Sequence, residues 1–292
     1  MKEFPLVSVI VPTLNRSHLL TSAVKSIEQQ DYPKVEIIIV DDCSDDAVIP
    51  PDCDMPIRVI RNNIRKGGAF SRNRGVLESK GQYICFLDDD DTYRFDKISY
   101  LIGRFIENDG ATVVFGSVIK SNISNHLLGK VNKNLKHSCA ISSVEAIGGL
   151  HTNGSLIKRS VFDRIRFNES LRKYQDTQLH FDLIKSEKAM YFDHVVSVWN
   201  NEHEYEQVTD TKTEEQHKNG IANFIKFYQH ALEKHKLNIF DLWYFYKRRM
   251  YLVAVASNAF NRFEIPVRIS WYDKVVLSIF MACLKFKSGC RK

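Results

Sequence analysis

Apolar positions follow two alternating rhythms through the first 120 residues of the 292-residue chain. Val7-Ser8-Val9-Ile10-Val11 is a β-branched run closed by Pro12, the pattern of a strand buried on both faces of a parallel sheet. Asn15-Arg16-Ser17 then offers caps for a helix carrying Leu19, Leu20, Ala23, Val24 and Ile27 at helical spacing, and Asp31-Tyr32-Pro33 stops it. Residues 35–40 form a second apolar strand ending in an acidic run from Asp41 to Asp46, and residues 57–60 a short third. Gly67-Gly68 opens a helix from about Ala69 to Ser79. Residues 83–87 form a fourth strand that runs into Asp88-Asp89-Asp90-Asp91; a helix over Ile98 to Ile106 and a strand over 112–119 follow. Strand and helix in alternation predict an α/β fold, a doubly wound, mostly parallel sheet flanked by helices.

Beyond 120 the pattern is less regular. Thr152 to Ile157 reads as a strand, Ser160 to Ile165 as a short helix and Thr177 to Ser186 as a longer one. From 205 onward all is helical: Glu214 to His235, Asp241 to Phe260 and Ser270 to Phe286. We expect a catalytic domain over 1–205, with halves at about 1–120 and 121–205, and a C-terminal helical extension over 206–292.

Composition adds bounds. Apolar residues at 44% and charged residues at 26% are ordinary for a globular chain, which excludes global disorder. The formal charge of +6 is uneven: Lys247 to Lys292 holds ten basic residues against two acids, and the first 246 residues are slightly acidic. A nucleic-acid enzyme spreads positive charge over its working face. This chain instead joins a near-neutral body to a basic end, so no nucleic-acid partner is expected. Six cysteines show neither a CxxC pair nor a metal-ligand rhythm. The N-terminal apolar run is too short for a signal peptide, so reduced thiols in a cytoplasm are expected.

Ligands of open parallel sheets bind beyond the carboxyl ends of the strands. Two acidic clusters sit there, Asp41-Asp42 and Asp88 to Asp91. Four adjacent aspartates repel one another and call for a cation; Mg2+ or Mn2+, held by one or two carboxylates and completed by phosphate and water, is the simplest. Read alone, the run is as readily a solvated turn and helix cap. The strand before it and the second cluster at a parallel position favour the cation. No GxxxxGK[ST] and no GxGxxG occurs.

Four segments carry a resemblance. Val7 to Arg16 is similar to the opening strand of the family 2 glycosyltransferases, which have the GT-A fold; Glu36 to Asp45 resembles their second strand and its nucleotide-binding acids. Gly67 to Gly75 resembles their next helix, and Gly81 to Asp91 their DxD element. The resemblance implies a nucleotide-diphosphate sugar donor, with UDP expected, a divalent metal and an inverting transfer. It assigns Asp42 to the uracil ring with Asp41 in support, and Pro12, Thr13 and Leu14 to the nucleoside. It assigns Asp90 to the metal, Asp88 to ribose or metal, and leaves Asp89 at the variable position between them. Lys66 or Arg72 meets the diphosphate. A general base is expected at a Glu-Asp pair opening a helix, and Gln175-Asp176 fits with Gln in place of Glu, making Asp176 the base. As a helix N-cap, Asp176 would have a purely structural role. His151, ahead of a strand, is a candidate acceptor contact together with Gln175.

The helical end is aromatic and basic. Phe240, Trp243, Tyr244, Phe245, Tyr246 and Tyr251 surround Lys247-Arg248-Arg249, and an apolar run over 275–284 precedes Lys285, Lys287, Arg291 and Lys292. Such a helix suits the surface of an anionic membrane, predicting a peripheral enzyme on the inner face that works on a surface polysaccharide, lipopolysaccharide or lipid-linked glycan. Two rivals are weighed: a nucleotidyltransferase, disfavoured because Pro12-Thr13-Leu14-Asn15-Arg16 lacks glycine, and a non-catalytic sugar-nucleotide-binding scaffold, disfavoured by Asp88-x-Asp90 and Asp176.

Overall fold

The structure, a computed structural model, describes residues 4–121, 127–130, 139–200 and 213–259. The chain divides into two units, Met1–Ser170 with Gln175–Glu204, and Leu171–Tyr174 with Tyr205–Lys292.

The first unit opens with β1 (Val7–Thr13), α1 (Leu20–Glu28), β2 (Val35–Asp41), β3 (Ile57–Arg61), α2 (Gly68–Glu78) and β4 (Tyr83–Phe86). Every residue of β2 is buried, Ile37 to Val40 as their apolar run predicts and the acids with partners, Ser8 Oγ donating to Glu36 at 2.6 Å and Arg61 meeting Asp41 at 3.2 Å. These strands pair in parallel, with β1 between β2 and β4 and with β3 beyond β2. Leu20, Ala23, Val24 and Ile27 of α1 are the buried stripe that covers one face.

There follow β5 (Thr92–Tyr93), α3 (Lys97–Glu107), β6 (Val113–Ser121), β7 (Leu127–Lys130), β8 (Cys139–Ile141), β9 (Ser155–Lys158), α4 (Gln175–Ser186) and β10 (Ala189–Asn200). The sheet runs β3-β2-β1-β4-β9-β6-β10-β5, with β7 on β6 and β8 on β10. It is mixed: β9 lies antiparallel between β4 and β6, whereas β6 and β10 are parallel. The predicted strand at 152 begins with a short 3-10 turn over Thr152–Gly154, and the helix expected at 160 is a 3-10 segment, Arg159–Asp163. The sequence pattern does not reveal β10. Its register against β6 shifts between Phe192 and Val195 and again before Ser197, so neither alternation nor a continuous apolar run marks it.

In the second unit α5 (Glu214–Lys234) starts in a reciprocal cap, Gln216 N–H to Thr213 Oγ1 at 3.2 Å and Thr213 N–H to Gln216 Oε1 at 3.0 Å. It packs on α6 (Ile239–Ala259) through Phe224, Phe227 and Phe245, with ring centroids 5.0–6.1 Å apart. The helix expected at Ser270 to Phe286 and the basic residues after it lie outside the described residues.

Candidate active site at the carboxyl rim of the sheet

β1, β2 and β4 end side by side, and their loops gather the acids. Asp41 is fully buried: Oδ1 accepts the Ser44 N–H at 2.8 Å and Oδ2 lies 3.2 Å from the Arg61 guanidinium. Asp42 turns the other way and organises the 62–67 loop, accepting from Asn62 Nδ2 at 2.8 Å, Lys66 N–H at 2.9 Å and Gly67 N–H at 2.6 Å. Gly67 has φ of +92°, a conformation L side chains rarely adopt, and this brings its amide to the carboxylate. The Lys66 ammonium rests 4.1 Å from the Phe70 ring centroid.

The run after β4 splits into two sealed and two open carboxylates. Asp89 and Asp91 are 0% and 1% exposed, while the Asp88 and Asp90 side chains keep 26% and 13%. Asp89 accepts from Thr13 Oγ1 at 2.6 Å and pairs with Arg16 at 2.8 Å. Asp91 accepts the Asn200 N–H at 2.8 Å and the Asn153 side-chain amide. Of the open pair, Asp88 meets Arg72 at 2.5 Å and Asp90 meets Arg16 at 3.0 Å. Burial pushes Asp89 up to about 7, against Arg16 and with Asp90; burial and its acidic neighbours hold Asp91 well above the carboxylate range. Burial acts upward on Asp88 too, but Arg72 with His151 and Arg16 together outweigh it and the group sits below its ordinary value.

The other side of the rim comes from α2, α4 and the turn before β9. A Cβ on Gly68 would sit 2.8 Å from an Arg72 guanidinium nitrogen and 3.5 Å from Gln175 Oε1, so the missing side chain lets α2, Arg72 and Gln175 converge. Asp176, in the first turn of α4, faces the favourable end of the helix dipole as a carboxylate; its Oδ1 is enclosed and makes no hydrogen bond. Burial opposes the charge on Arg72, and Asp88 with Asp176 outweighs it. Burial lowers His151, with Asp88 and Asp176 pulling the other way. Asp88, Arg72, His151 and Asp176 thus share one electrostatic neighbourhood. His151 lies against Trp199, ring centroids 5.4 Å apart. Pro12, where the sequence pattern ends the strand, lies inside β1 opposite Val40; Thr13 closes the strand opposite Asp41, and Leu14 follows half-buried. Asn15 (φ 56°) and Cys43 (φ 67°), just past β1 and just past β2, adopt sparsely populated conformations of the kind that gather at working sites.

The donor set suits a hard cation. Asp88 and Asp90 offer partly exposed carboxylate oxygens, and Mg2+ or Mn2+ needs one or two of these with phosphate and water around the rest. Among the described residues no group of three or more His, Cys, Asp or Glu forms a complete cage. Two hollows of about 180 and 360 Å³ flank α2, the first lined by Asn62, Lys66 and Phe70 and the second by Phe70, Leu77 and Phe162. Neither is lined by Asp88, Asp90 or Asp176. Charge geometry, not cavity volume, locates this site.

Sequence reasoning missed Arg16 as the cation on Asp89 and Asp90. The available signal was a guanidinium three residues past one strand end, opposite four aspartates at another. Asn153 and Asn200 carried no signal, because their position depends on how β9 and β10 enter the sheet.

A family model described as "Glycosyl transferase family 2" matches residues 8–166. The GalNAc(5)-diNAcBac-PP-undecaprenol beta-1,3-glucosyltransferase of Campylobacter jejuni is 33% identical over 198 residues, 64% of this chain and 62% of that one. The UDP-Glc:alpha-D-GlcNAc-diphosphoundecaprenol beta-1,3-glucosyltransferase WfgD of Escherichia coli is 30% identical over 128 residues, 43% of this chain and 50% of that one. The matches thus span less than two thirds of either relative's length. Two solved structures share the fold. TarS 1-349 of S. aureus in complex with UDP-GlcNAc has a TM-score of 0.61 at 16% identity, covering 93% of this chain and 78% of that one. Mannosyltransferase PcManGT of Pyrobaculum calidifontis, in complex with GDP-Man and Mn2+, has a TM-score of 0.63 at 17% identity, covering 98% and 82%. The mixed sheet flanked by helices is therefore a GT-A-type fold. The family match covers more than half of the chain and, but for Val7, all four motif segments, so the protein is a member of glycosyl transferase family 2.

Proposed function

We propose that the protein is an inverting glycosyltransferase that moves a sugar from a nucleotide-diphosphate sugar, a UDP-sugar, to a hydroxyl of a lipid-linked or surface glycan. The observation that carries this reading is Asp176, a carboxylate with an enclosed, unbonded oxygen beside the Arg72 that holds Asp88. The acceptor hydroxyl attacks the anomeric carbon, the bond from that carbon to the diphosphate oxygen breaks, and Asp176 takes the hydroxyl proton. Asp90 and Asp88 would hold Mn2+ or Mg2+, which when bound offsets charge on the departing diphosphate. Arg72 and Lys66 supply further positive charge to that group. Pro12, Thr13 and Leu14 flank the nucleoside with Asp41. A carboxylate has about four acceptor sites. Internal bonds take three of those on Asp42, leaving one for the imide N–H of uracil. Asp89, sealed by Thr13 and Arg16, sets the pitch of the two open acids on either side of it. His151 and Gln175 border the acceptor side.

The relatives named for undecaprenyl-linked acceptors support a lipid-linked acceptor here. No described helix is long and apolar enough to cross a membrane. On α6, Ile239, Phe240 and Trp243 are 72%, 73% and 50% exposed, and Lys247 and Arg248 are exposed on the next turn. Apolar and aromatic groups beside cations favour an anionic lipid surface, which would keep the enzyme peripheral on the inner face of the membrane. UDP-sugars incubated with Mn2+ and lipid-linked acceptors test the reading: UDP release that depends on both metal and acceptor is expected, and a protein that binds UDP-sugar without any turnover would mark a scaffold.

A further inference from the structure

Lys97, the first residue of α3, is 0% exposed. Removing an ammonium from water is costly unless partners replace the hydration. Its Nζ lies 3.6 Å from the centroid of the Tyr93 ring and donates to the Asn153 carbonyl at 2.5 Å. Tyr93 is itself fixed, its hydroxyl donating to Phe86 O at 2.5 Å. Asn153 is also 0% exposed, and its other polar groups bond the site residues: the side-chain amide donates to Asp91, Oδ1 accepts the Asp88 N–H at 3.3 Å, and the backbone N–H donates to His151 Nδ1 at 3.2 Å. One asparagine therefore ties the first and last aspartates of the run to His151, and a buried cation fixes that asparagine from behind. Nothing in the transfer chemistry proposed above uses Lys97 or Asn153 directly.

We infer that Lys97, acting through Asn153, is a positioning residue that pins the Asp88–Asp91 loop in register with His151. The physical need is plain: four acids crowd one short loop, two of them sealed from water and two drawn toward different guanidiniums, and such a loop keeps its form only where its ends are held by partners. Asp91 and the Asp88 amide are the two ends. A metal or donor meeting a loop already fixed loses less entropy on binding than one that must order it.

The inference rests on the donor reading only for its second readout. The first is amide hydrogen exchange in the metal-free full-length protein, comparing Lys97→Met and Asn153→Ser with the native chain. Exchange at Asp88 and Asp91 should rise about tenfold in both variants, with Val9 in the middle of β1 unchanged as the reference for global opening. The second is calorimetric titration with Mn2+ and UDP, where each variant should bind about tenfold more weakly or worse. The Lys97→Met/Asn153→Ser double variant should be no weaker than the weaker single one, as expected for residues acting in series. If Lys97→Met does not fold, Lys97→Gln, whose shorter neutral amide replaces the ammonium on the Asn153 carbonyl, reads the same link and should raise exchange at Asp88 and Asp91 with Val9 unchanged. Exchange unchanged at Asp88 and Asp91, or raised equally at Val9, overturns the inference. If the native protein does not bind Mn2+–UDP while the exchange difference is present, the donor reading falls and the pinning stands.

Discussion

The sheet has two halves built on different rules. In β3-β2-β1-β4 every neighbour is parallel and the two central strands are almost wholly buried. In β9-β6-β10-β5 an antiparallel strand is inserted, and β10 is only partly buried and bulged in its middle. The first half carries the acids and most of the cations that meet them. The second carries Asn153 and Asn200, which bond Asp91, and the His151 and Trp199 rings, which lie against each other beside them. The difference teaches that the strand ends supplying charge lie on elements with rigid patterning, while the groups that orient the charge lie on irregular backbone.

The comparison can be broken by measurement. Ile38→Ala, at a fully buried position of β2, should cost about 4 kcal/mol, while Val195→Ala at the β10 bulge should cost under about 1 kcal/mol, both read by urea unfolding. Equal losses would mean the two halves are equally packed. Asp90→Ala should weaken Mn2+-dependent UDP binding by about 100-fold, and Arg16→Gln, which frees Asp90 but also unseals the Asp89 between the open acids, should weaken it by about tenfold.

His180 sharpens the picture of the second half. It is 1% exposed, its Nε2 lies 3.4 Å from Thr152 Oγ1, and burial pushes it down to about 4. The unfolded chain therefore takes up this proton first as pH falls below about 6.5. Its contribution is full above that pH and is lost toward pH 4. Between pH 7 and 4.5 the native protein should lose about 2 kcal/mol more than His180→Phe does. Equal losses would remove His180 as the cause. The smallest effect expected is at α6, where Phe240→Glu with Trp243→Glu should weaken sedimentation with anionic vesicles about fivefold and leave neutral vesicles unaffected.

Much of this was legible from residue pattern alone, and unevenly so. Near-continuous apolar runs bounded by Pro12 or by aspartates mark β1, β2 and β4, because a strand covered on both faces has no polar side, and the two exceptions, Ser8 and Glu36, bond each other. The stripes of α1 and α3 were equally plain, their apolar residues falling at the buried positions. The acids at the rim followed from strand ends. β10 was not legible, since the bulges at 192–197 break its period, and with it went the placement of Trp199 and Asn200. Arg16 was visible only as part of a helix cap, although the fold turns it across to Asp89 and Asp90. Lys97 was hidden by its type: lysine at a helix start reads as solvated, and only the Asn153 carbonyl and the Tyr93 ring give it a reason to be buried.

The central claim is that Asp176 removes the acceptor proton while the acids across the rim hold the donor. The direct test is Asp176→Asn, a change of nearly equal size that cannot serve as a base. Acceptor-dependent UDP release should fall by about 10³-fold, with the dissociation constant for UDP in Mn2+ within threefold of native. Native turnover in Asp176→Asn would contradict the account.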